Sequence, residues 1–160
     1  MLKVRELAER GLDPLRLDFE ITESLFISEH AHVTEEIQFL HQLGFGLAMD
    51  DFGTGYSALS NIMQFPIDCL KIDRSFVAEL PGNQREGHLV RAIIALASEL
   101  GIRVVAEGIE TREQLDFLRM AGCRVGQGYY FSPPVPLERF AGFLDLRRGI
   151  SSPCTMASLP

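Results

Sequence analysis

The sequence predicts an α/β protein in which about five parallel strands alternate with helices. Two observations lead to this prediction. Apolar residues recur at helical spacing in several segments, and short apolar runs of strand length follow those segments. The runs contain few polar residues, as is typical of strands that are covered on both faces. Parallel strands joined by helices form either a doubly wound sheet or part of a (β/α) barrel.

The first half of the chain predicts two helices and three strands. Gly11 and Gly44 each follow apolar residues at helical spacing, and glycine commonly ends a helix. After Pro14, apolar and acidic residues alternate, which predicts a strand with Asp18 and Glu20 on one face. In chain order, the predicted elements are a helix over 2–11, a strand over 15–21, a helix over 33–43, a strand over 45–49 and a strand over 69–72.

The second half contains the clearest helical stripe, which runs from Leu89 and ends at Gly101. Thr111 and Gln114 form a capping box that opens another helix, and Pro136 can begin a last one. The predicted elements are a helix over 89–100, a strand over 103–106, a helix over 111–122 and a strand over 124–126. No glycine-rich dinucleotide fingerprint follows a strand, which argues against a doubly wound nucleotide-binding sheet.

Length and composition predict a single soluble globular domain. The chain has 160 residues, of which 46% are hydrophobic and 23% are charged. Residues 1–148 carry the predicted elements, whereas residues 149–160 are polar and aperiodic, and we expect a disordered tail there. No apolar run approaches the ~20 residues of a membrane span. The amino terminus lacks the apolar core of a signal peptide, so we expect a cytoplasmic protein.

The net charge of −7 argues against binding to duplex nucleic acid, which requires clustered Lys and Arg. A small anionic ligand is still compatible with this charge if metal ions supply the positive charge. Cys69, Cys123 and Cys154 are widely spaced and form no C-x-x-C pair. They predict reduced structural thiols rather than a zinc site. We interpret the four histidines as solvated side chains.

Polar and charged residues stand at or near the carboxyl ends of the predicted strands. They are Glu20, Asp50, Asp51, Lys71, Asp73 and Glu107, and Gln127 follows the last strand. The carboxyl ends of parallel strands share one edge, where α/β enzymes collect their catalytic groups. Several carboxylates at one edge repel one another unless a divalent cation joins them. Oxygen ligands without Cys or His favour Mg²⁺ or Mn²⁺, and two such ions suit phosphoryl chemistry.

Each of these residues also has a structural interpretation. Glu20 could belong to a buried ion pair, and Asp51 could be a turn residue before Phe52 and Gly53. The remaining structural interpretations are an ion pair of Lys71 with Asp73, a cap for Glu23, loop carboxylates for Glu107 and Glu110, and a backbone contact for Gln127. Their shared placement at successive strand ends favours a metal-dependent site.

Five sequence blocks resemble the EAL-domain family of bacterial cyclic-di-GMP phosphodiesterases. The blocks are FEITES (19–24), MDDFGTGYSAL (49–59), LKIDRSFV (70–77), VVAEGIET (104–111) and GQGYYFSPPVP (126–136), in the family's order. The resemblance implies a TIM-like barrel that hydrolyses cyclic di-GMP to the linear dinucleotide with Mg²⁺ or Mn²⁺. It also implies that the loop starting at Asp50 links the site to a homodimer interface.

The same resemblance implies roles for individual residues. The implied metal ligands are Glu20, Asp50, Asp51 and Glu107. Lys71 would hold or polarise the attacking water, and Gln127 would support the catalytic pocket. The implied supporting residues are Glu23, which would anchor the loop that starts at Asp50, together with Glu110 and Asp73.

The sequence departs from the family pattern in one respect. The Glu-Ala-Leu signature is absent, as is the metal-binding Asn that normally follows it and precedes the block matching FEITES. We therefore expect the C-terminal portion of an EAL-type domain, a partial barrel that is inactive or nearly so by itself. The alternatives are a non-catalytic module that dimerises or completes a partner's barrel, and a receptor that binds cyclic di-GMP without cleaving it.

Overall fold

The structure is a computed structural model, and it describes residues 11, 13–22, 31–53 and 62–140. Strands and helices alternate along this part of the chain. In order they are a 3₁₀ turn Pro14–Arg16, β1 Asp18–Thr22, α1 Ala31–Gln42, β2 Gly46–Phe52, β3 Cys69–Ile72, α2 Arg74–Ala78, α3 Gln84–Glu99, β4 Arg103–Ala106, α4 Arg112–Met120 and β5 Val125–Gly126. Residues 137–140 are helical as well, as the proline at 136 predicts.

The predicted fold class is confirmed in the described residues. The strands follow the order β1-β2-β3-β4-β5, and β1–β2, β2–β3 and β4–β5 pair in parallel. The chain divides into two compact units. The first contains Met1–Asp73 and Ala95–Val104, and the second contains Arg74–Ile94 and Val105–Pro160. None of the described helices has the length and apolar character that a bilayer crossing requires.

In the first unit, β1, β2 and β3 are held in register by parallel pairing. Residue Thr22 of β1 stands opposite Asp50, and Ala48 of β2 stands opposite Cys69. All four residues of β3 are buried, as expected for a central strand that is covered on both faces. Among the described residues of this unit, the largest fully buried side chains are Leu47, Met49, Leu70 and Ile72. Together they form the apolar core beneath the polar ends of the strands.

The second strand extends further than the sequence predicts. We expected it to end at Met49, but it runs to Phe52, and its register with β3 shifts between these two residues. Asp51 lies in this irregular stretch with φ +55°, in the left-handed region. An extra residue in one strand accounts for such a shift, and Asp tolerates the left-handed conformation better than most residues.

In the second unit, α4 begins with the predicted capping box. The Thr111 side chain accepts a hydrogen bond from the Gln114 N–H (3.3 Å), and Gln114 Oε1 accepts from the Thr111 N–H (3.0 Å). The helix ends before Gly122, which adopts φ +94°. Leu118 of this helix is fully buried, which anchors α4 in the core of the unit.

Two further differences between the prediction and the structure concern β1 and α2. The strand expected over 15–21 begins only at Asp18, because Asp13 Oδ1 accepts a hydrogen bond from the Leu15 N–H (3.1 Å) and opens a 3₁₀ turn. The short helix α2 was not predicted, since five residues are too few to show a helical period. The helix expected over 2–11 and the tail expected over 149–160 lie outside the described residues.

Candidate functional site

Lys71 stands at the centre of a charged cluster in the first unit. Its side chain is only 8% exposed, and its Nζ lies 2.9 Å from Glu20 Oε1 and 3.0 Å from Asp50 Oδ1. The three residues come from three neighbouring strands, β1, β2 and β3. Two carboxylates offset the cost of burying the ammonium group, which would be several kcal/mol without a partner. The structure therefore brings together three residues that the sequence places near strand ends.

Asp50 Oδ1 is buried and makes no hydrogen bond of acceptable angle with a residue that the structure describes. Its 3.0 Å contact with Lys71 Nζ is an ion pair. An under-satisfied carboxylate oxygen of this kind retains the lone pairs that a cation requires.

Asp51 and Asp73 extend the cluster. Partial burial raises the pKa of Asp51, and the negative charges of Asp50 and Asp73 raise it further. A hydrogen bond between the Asp51 and Asp73 side chains acts in the same direction, whereas Lys71 lowers this pKa. Two carboxyl groups can form such a bond only if one of them holds a proton. We name the five residues Glu20, Asp50, Asp51, Lys71 and Asp73 the carboxyl-end cluster.

Glu107 and Gln127 meet in the second unit. Gln127 Nε2 donates a hydrogen bond of 2.6 Å to Glu107 Oε1. Glu107 directly follows β4 and Gln127 directly follows β5, so parallel pairing places the two side chains at the same edge. A charge-assisted bond of this length fixes the orientation of the carboxylate.

The remaining predicted site residues have different surroundings. Glu110 is exposed, and its backbone N–H donates to Gln114 Oε1 (2.8 Å), which ties this part of the loop to the start of α4. Glu23 lies outside the described residues. Within the described residues, no three His, Cys, Asp or Glu side chains stand together as a ready metal site. In the first unit the Lys71 ammonium lies between the Glu20 and Asp50 carboxylates, which keeps their oxygens apart.

A second group of charged residues lies at the amino ends of the strands in the first unit. The sequence did not predict this group. Arg103 Nη2 donates to Asp18 Oδ2 (2.8 Å), and the Arg103 N–H donates to the Asp68 carbonyl (3.0 Å). Asp68 Oδ2 in turn accepts from the N–H of Leu47 (2.9 Å). We name Asp18, Asp68 and Arg103 the amino-end cluster. The separation of 85 residues between Asp18 and Arg103 left no local signal in the sequence.

The cysteine prediction is confirmed for the two cysteines that the structure describes. Cys69 and Cys123 are both buried and free. Burial raises the pKa of Cys69 to about 11, and burial also raises the pKa of Cys123. Both thiols therefore stay protonated near neutral pH and behave as small apolar side chains. Cys154 lies outside the described residues.

A model of the EAL domain family matches residues 1–134. The chain belongs to the EAL domain family. It is 42% identical to the cyclic di-GMP phosphodiesterase NbdA of Pseudomonas aeruginosa over 92% of this chain. That match spans only 19% of NbdA, so the chain corresponds to about a fifth of this relative.

Solved EAL structures resemble the chain in three dimensions. The EAL domain of Mycobacterium smegmatis DcpA is 41% identical, with a TM-score of 0.81 over 88% of this chain and 63% of that one. Klebsiella pneumoniae BlrP1, solved as a manganese and cyclic di-GMP complex, is 34% identical, with a TM-score of 0.77 over 83% of this chain and 34% of that one. These similarities confirm the predicted partial TIM-like barrel.

Proposed function

We propose that this EAL chain is part of a phosphodiesterase that hydrolyses cyclic di-GMP to the linear dinucleotide with divalent metal ions. The observation that carries the proposal is the carboxyl-end cluster, in which a buried lysine holds two carboxylates. Its relative NbdA is named for this activity, and BlrP1 was solved with manganese and cyclic di-GMP. Hydrolysis adds one water across one of the two phosphodiester bonds and opens the ring.

Two features of the carboxyl-end cluster favour a divalent cation. Asp50 Oδ1 is buried without a hydrogen bond, and Asp51 stands among acids that raise its pKa. A cation relieves both features, because it gives Asp50 Oδ1 a further partner and offsets the repulsion between the carboxylates. The proposed ligands are Glu20, Asp50, Asp51 and Glu107, and the proposed ion is Mg²⁺ or Mn²⁺. When bound, such an ion polarises a phosphoryl oxygen and lowers the pKa of a coordinated water.

The residues of the chain itself position the reactants. Lys71 is fixed between Glu20 and Asp50 by ion pairs with both carboxylates. A cation fixed in this position can orient a water molecule or stabilise negative charge on a phosphate group. Gln127 fixes the orientation of the Glu107 carboxylate through its 2.6 Å hydrogen bond to Oε1. Fixed donors and acceptors of this kind need no reorganisation during the reaction.

The proposal is tested by chromatography of the products formed from cyclic di-GMP and Mn²⁺ by the protein expressed from its complete gene. We expect the linear dinucleotide to accumulate. We expect Glu20→Gln and Lys71→Met to lower kcat about 100-fold or more, by analogy with the loss of one fixed donor. Glu99→Gln, which alters an exposed acid near the end of α3, is the matched control and should keep full activity. Equal turnover in all four proteins would refute the proposed site.

The other predictions about function stay predictions. They are inactivity of this chain by itself, use of two metal ions, a homodimer or a partner that completes the barrel, a cytoplasmic location and a domain over 1–148. Calorimetric titration separates the receptor from the enzyme, because a receptor binds cyclic di-GMP without product formation. Light scattering measures the mass in solution and decides between monomer and dimer.

A further inference from the structure

We propose that Ile109 is a positioning residue that fixes the Glu107 carboxylate against Gln127, and that Gly128 provides the space in which the Ile109 backbone packs. The role of Ile109 in the reaction rests on the proposed function, whereas the packing of Ile109 against Gly128 is a property of the fold. Ile109 carries no chemical group that could react. Its effect must pass through the backbone on which Glu107 is carried.

The loops that follow β4 and β5 are joined by backbone hydrogen bonds. The Gln127 N–H donates to the Ala106 carbonyl (2.9 Å), and the Ile109 N–H donates to the Gln127 carbonyl (3.1 Å). The Ile109 carbonyl accepts from the Tyr130 N–H (2.9 Å). These bonds attach the chain on both sides of Glu107 to the loop that carries Gln127. A displacement of Ile109 therefore moves the Glu107 backbone relative to Gln127.

The Ile109 side chain has almost no freedom to move, because it is fully buried and two glycines lie against the residue. A Cβ added to Gly126 would stand 2.5 Å from Ile109 Cδ1. A Cβ added to Gly128, where φ is +156°, would collide with the Ile109 backbone and lie 2.7 Å from its carbonyl carbon. Neither position can hold a side chain unless Ile109 shifts.

The far end of the same loop is fixed independently. Gln114 Oε1 accepts hydrogen bonds from the backbone N–H groups of Glu110 and Thr111. The loop between β4 and α4 is thus held by β4 at one end, by the cap of α4 at the other and by Ile109 in the middle. Removing the middle contact weakens the support of the Glu107 backbone between β4 and α4, while the helix cap stays intact.

The test follows the side-chain amide signals of Gln127 by ¹H–¹⁵N NMR in Ile109→Ala and Ile109→Val, with Gln127→Ala used to assign them. Leu118→Ala, which removes an equally buried side chain from α4, is the matched control. We expect Ile109→Ala to shift these signals, because the Gln127 amide loses its fixed position against the Glu107 carboxylate. We expect Ile109→Val to restore most of the native shift and Leu118→Ala to leave the signals in place.

Gly128→Ala is a second variant that should displace the Ile109 backbone. It keeps the test decisive if Ile109→Ala does not fold. Its control is Gly122→Ala, where φ is also positive but the nearest atom to the new Cβ lies 3.8 Å away. We expect Gly128→Ala to shift the Gln127 signals and Gly122→Ala to leave them in place. Native Gln127 signals in Ile109→Ala or Gly128→Ala, or equal shifts in Leu118→Ala, would overturn the proposal.

Steady-state kinetics tests whether the packing of Ile109 affects the reaction. We expect Ile109→Ala to lower kcat by up to about 100-fold with little change in KM, because a shift of about 1 Å in a reacting group has this effect. Absence of turnover in the wild-type protein expressed from its complete gene would refute the proposed function and leave the NMR result to decide on Ile109. Native kcat in a variant whose Gln127 signals have shifted would show that the contact has no part in catalysis.

Discussion

Charged residues at the two ends of the strands in the first unit differ in their burial and in their pairing. In the amino-end cluster, Asp18 and Arg103 are well paired and largely exposed, and the Asp68 carboxylate accepts from a backbone N–H. In the carboxyl-end cluster, Lys71 is buried, Asp50 Oδ1 lacks a hydrogen bond and the pKa of Asp51 is raised. Paired charges stabilise a fold, whereas under-satisfied ones cost stability and are typical of functional sites. The number of acidic residues alone therefore does not locate a functional site.

A substitution of Lys71 gives the strongest test of this difference between the two strand ends. We expect Lys71→Met to lower the free energy of unfolding by about 3 kcal/mol, because Asp50 would keep a partly buried charge without its partner. Urea denaturation measures this loss. The double variant Lys71→Met/Asp50→Asn should recover part of it, since the unpaired charge is removed as well. If Lys71→Met lowered the free energy of unfolding by less than the loss of the exposed Asp18–Arg103 pair does, the proposed difference between the two ends would be contradicted.

Asp68 should show the largest effect in the amino-end cluster. Asp68→Ala leaves the N–H of the fully buried Leu47 without its acceptor, and we expect a loss of about 2 kcal/mol in the free energy of unfolding. Asp68→Asn keeps an acceptor oxygen and serves as the control, with a smaller loss. Equal losses in both variants would show that the charge, and not the hydrogen bond, stabilises this end. Thermal and urea denaturation give the two values.

The Asp18–Arg103 pair should matter less. Both side chains are substantially exposed, and exposed ion pairs contribute about 0.2–1 kcal/mol. We expect Asp18→Asn to lower the free energy of unfolding within that range and high salt to reduce the difference from wild type. A double-mutant cycle with Arg103→Gln isolates the pair from the effects of each side chain. A coupling above about 2 kcal/mol would place this pair among strongly coupled buried charges instead.

The smallest effect expected is the pH dependence caused by Asp51. Its folded-state pKa is raised, so the folded protein holds this proton more tightly than the unfolded chain does. The stabilisation is fully present below the unfolded pKa and is lost as the pH rises through the folded pKa. Asp51→Asn should therefore show a shallower fall in unfolding free energy above pH 4 than the wild type. Parallel pH profiles for the two proteins would contradict the raised pKa.

Much of the fold follows from local sequence patterns. The strands at 69–72 and 103–106 are observed as predicted, because buried central strands contain nearly continuous apolar residues between clear helix stops. The capping box at Thr111 is likewise a local signal, since both of its hydrogen bonds join residues only three positions apart. The 3₁₀ turn before β1 was missed because the alternation of apolar and acidic residues masked the cap made by Asp13.

The candidate site was predicted in part, for physical reasons. Strand ends are visible in the sequence, so Glu20, Asp50 and Lys71 could be assigned to one edge, and they meet in the structure. Their exact partners depend on which strands pair and in which register, and no local pattern contains that information. The same limit applies to Arg103, whose partner lies 85 residues away, and to Gly128, whose role depends on a neighbouring loop.

The bulge in β2 has a consequence for how the acids of this strand are presented. Along a regular strand, consecutive side chains point to opposite faces, so adjacent acids would be divided between the core and the outer layer. One extra residue at Asp51 interrupts that alternation, and Asp51 interacts with Asp50, Lys71 and Asp73 together. A single insertion thus doubles the number of carboxylates that one strand contributes, with no additional strand. A one-residue deletion here would restore the alternation and turn one of the two carboxylates away from the carboxyl-end cluster, even if every acid in the sequence were kept.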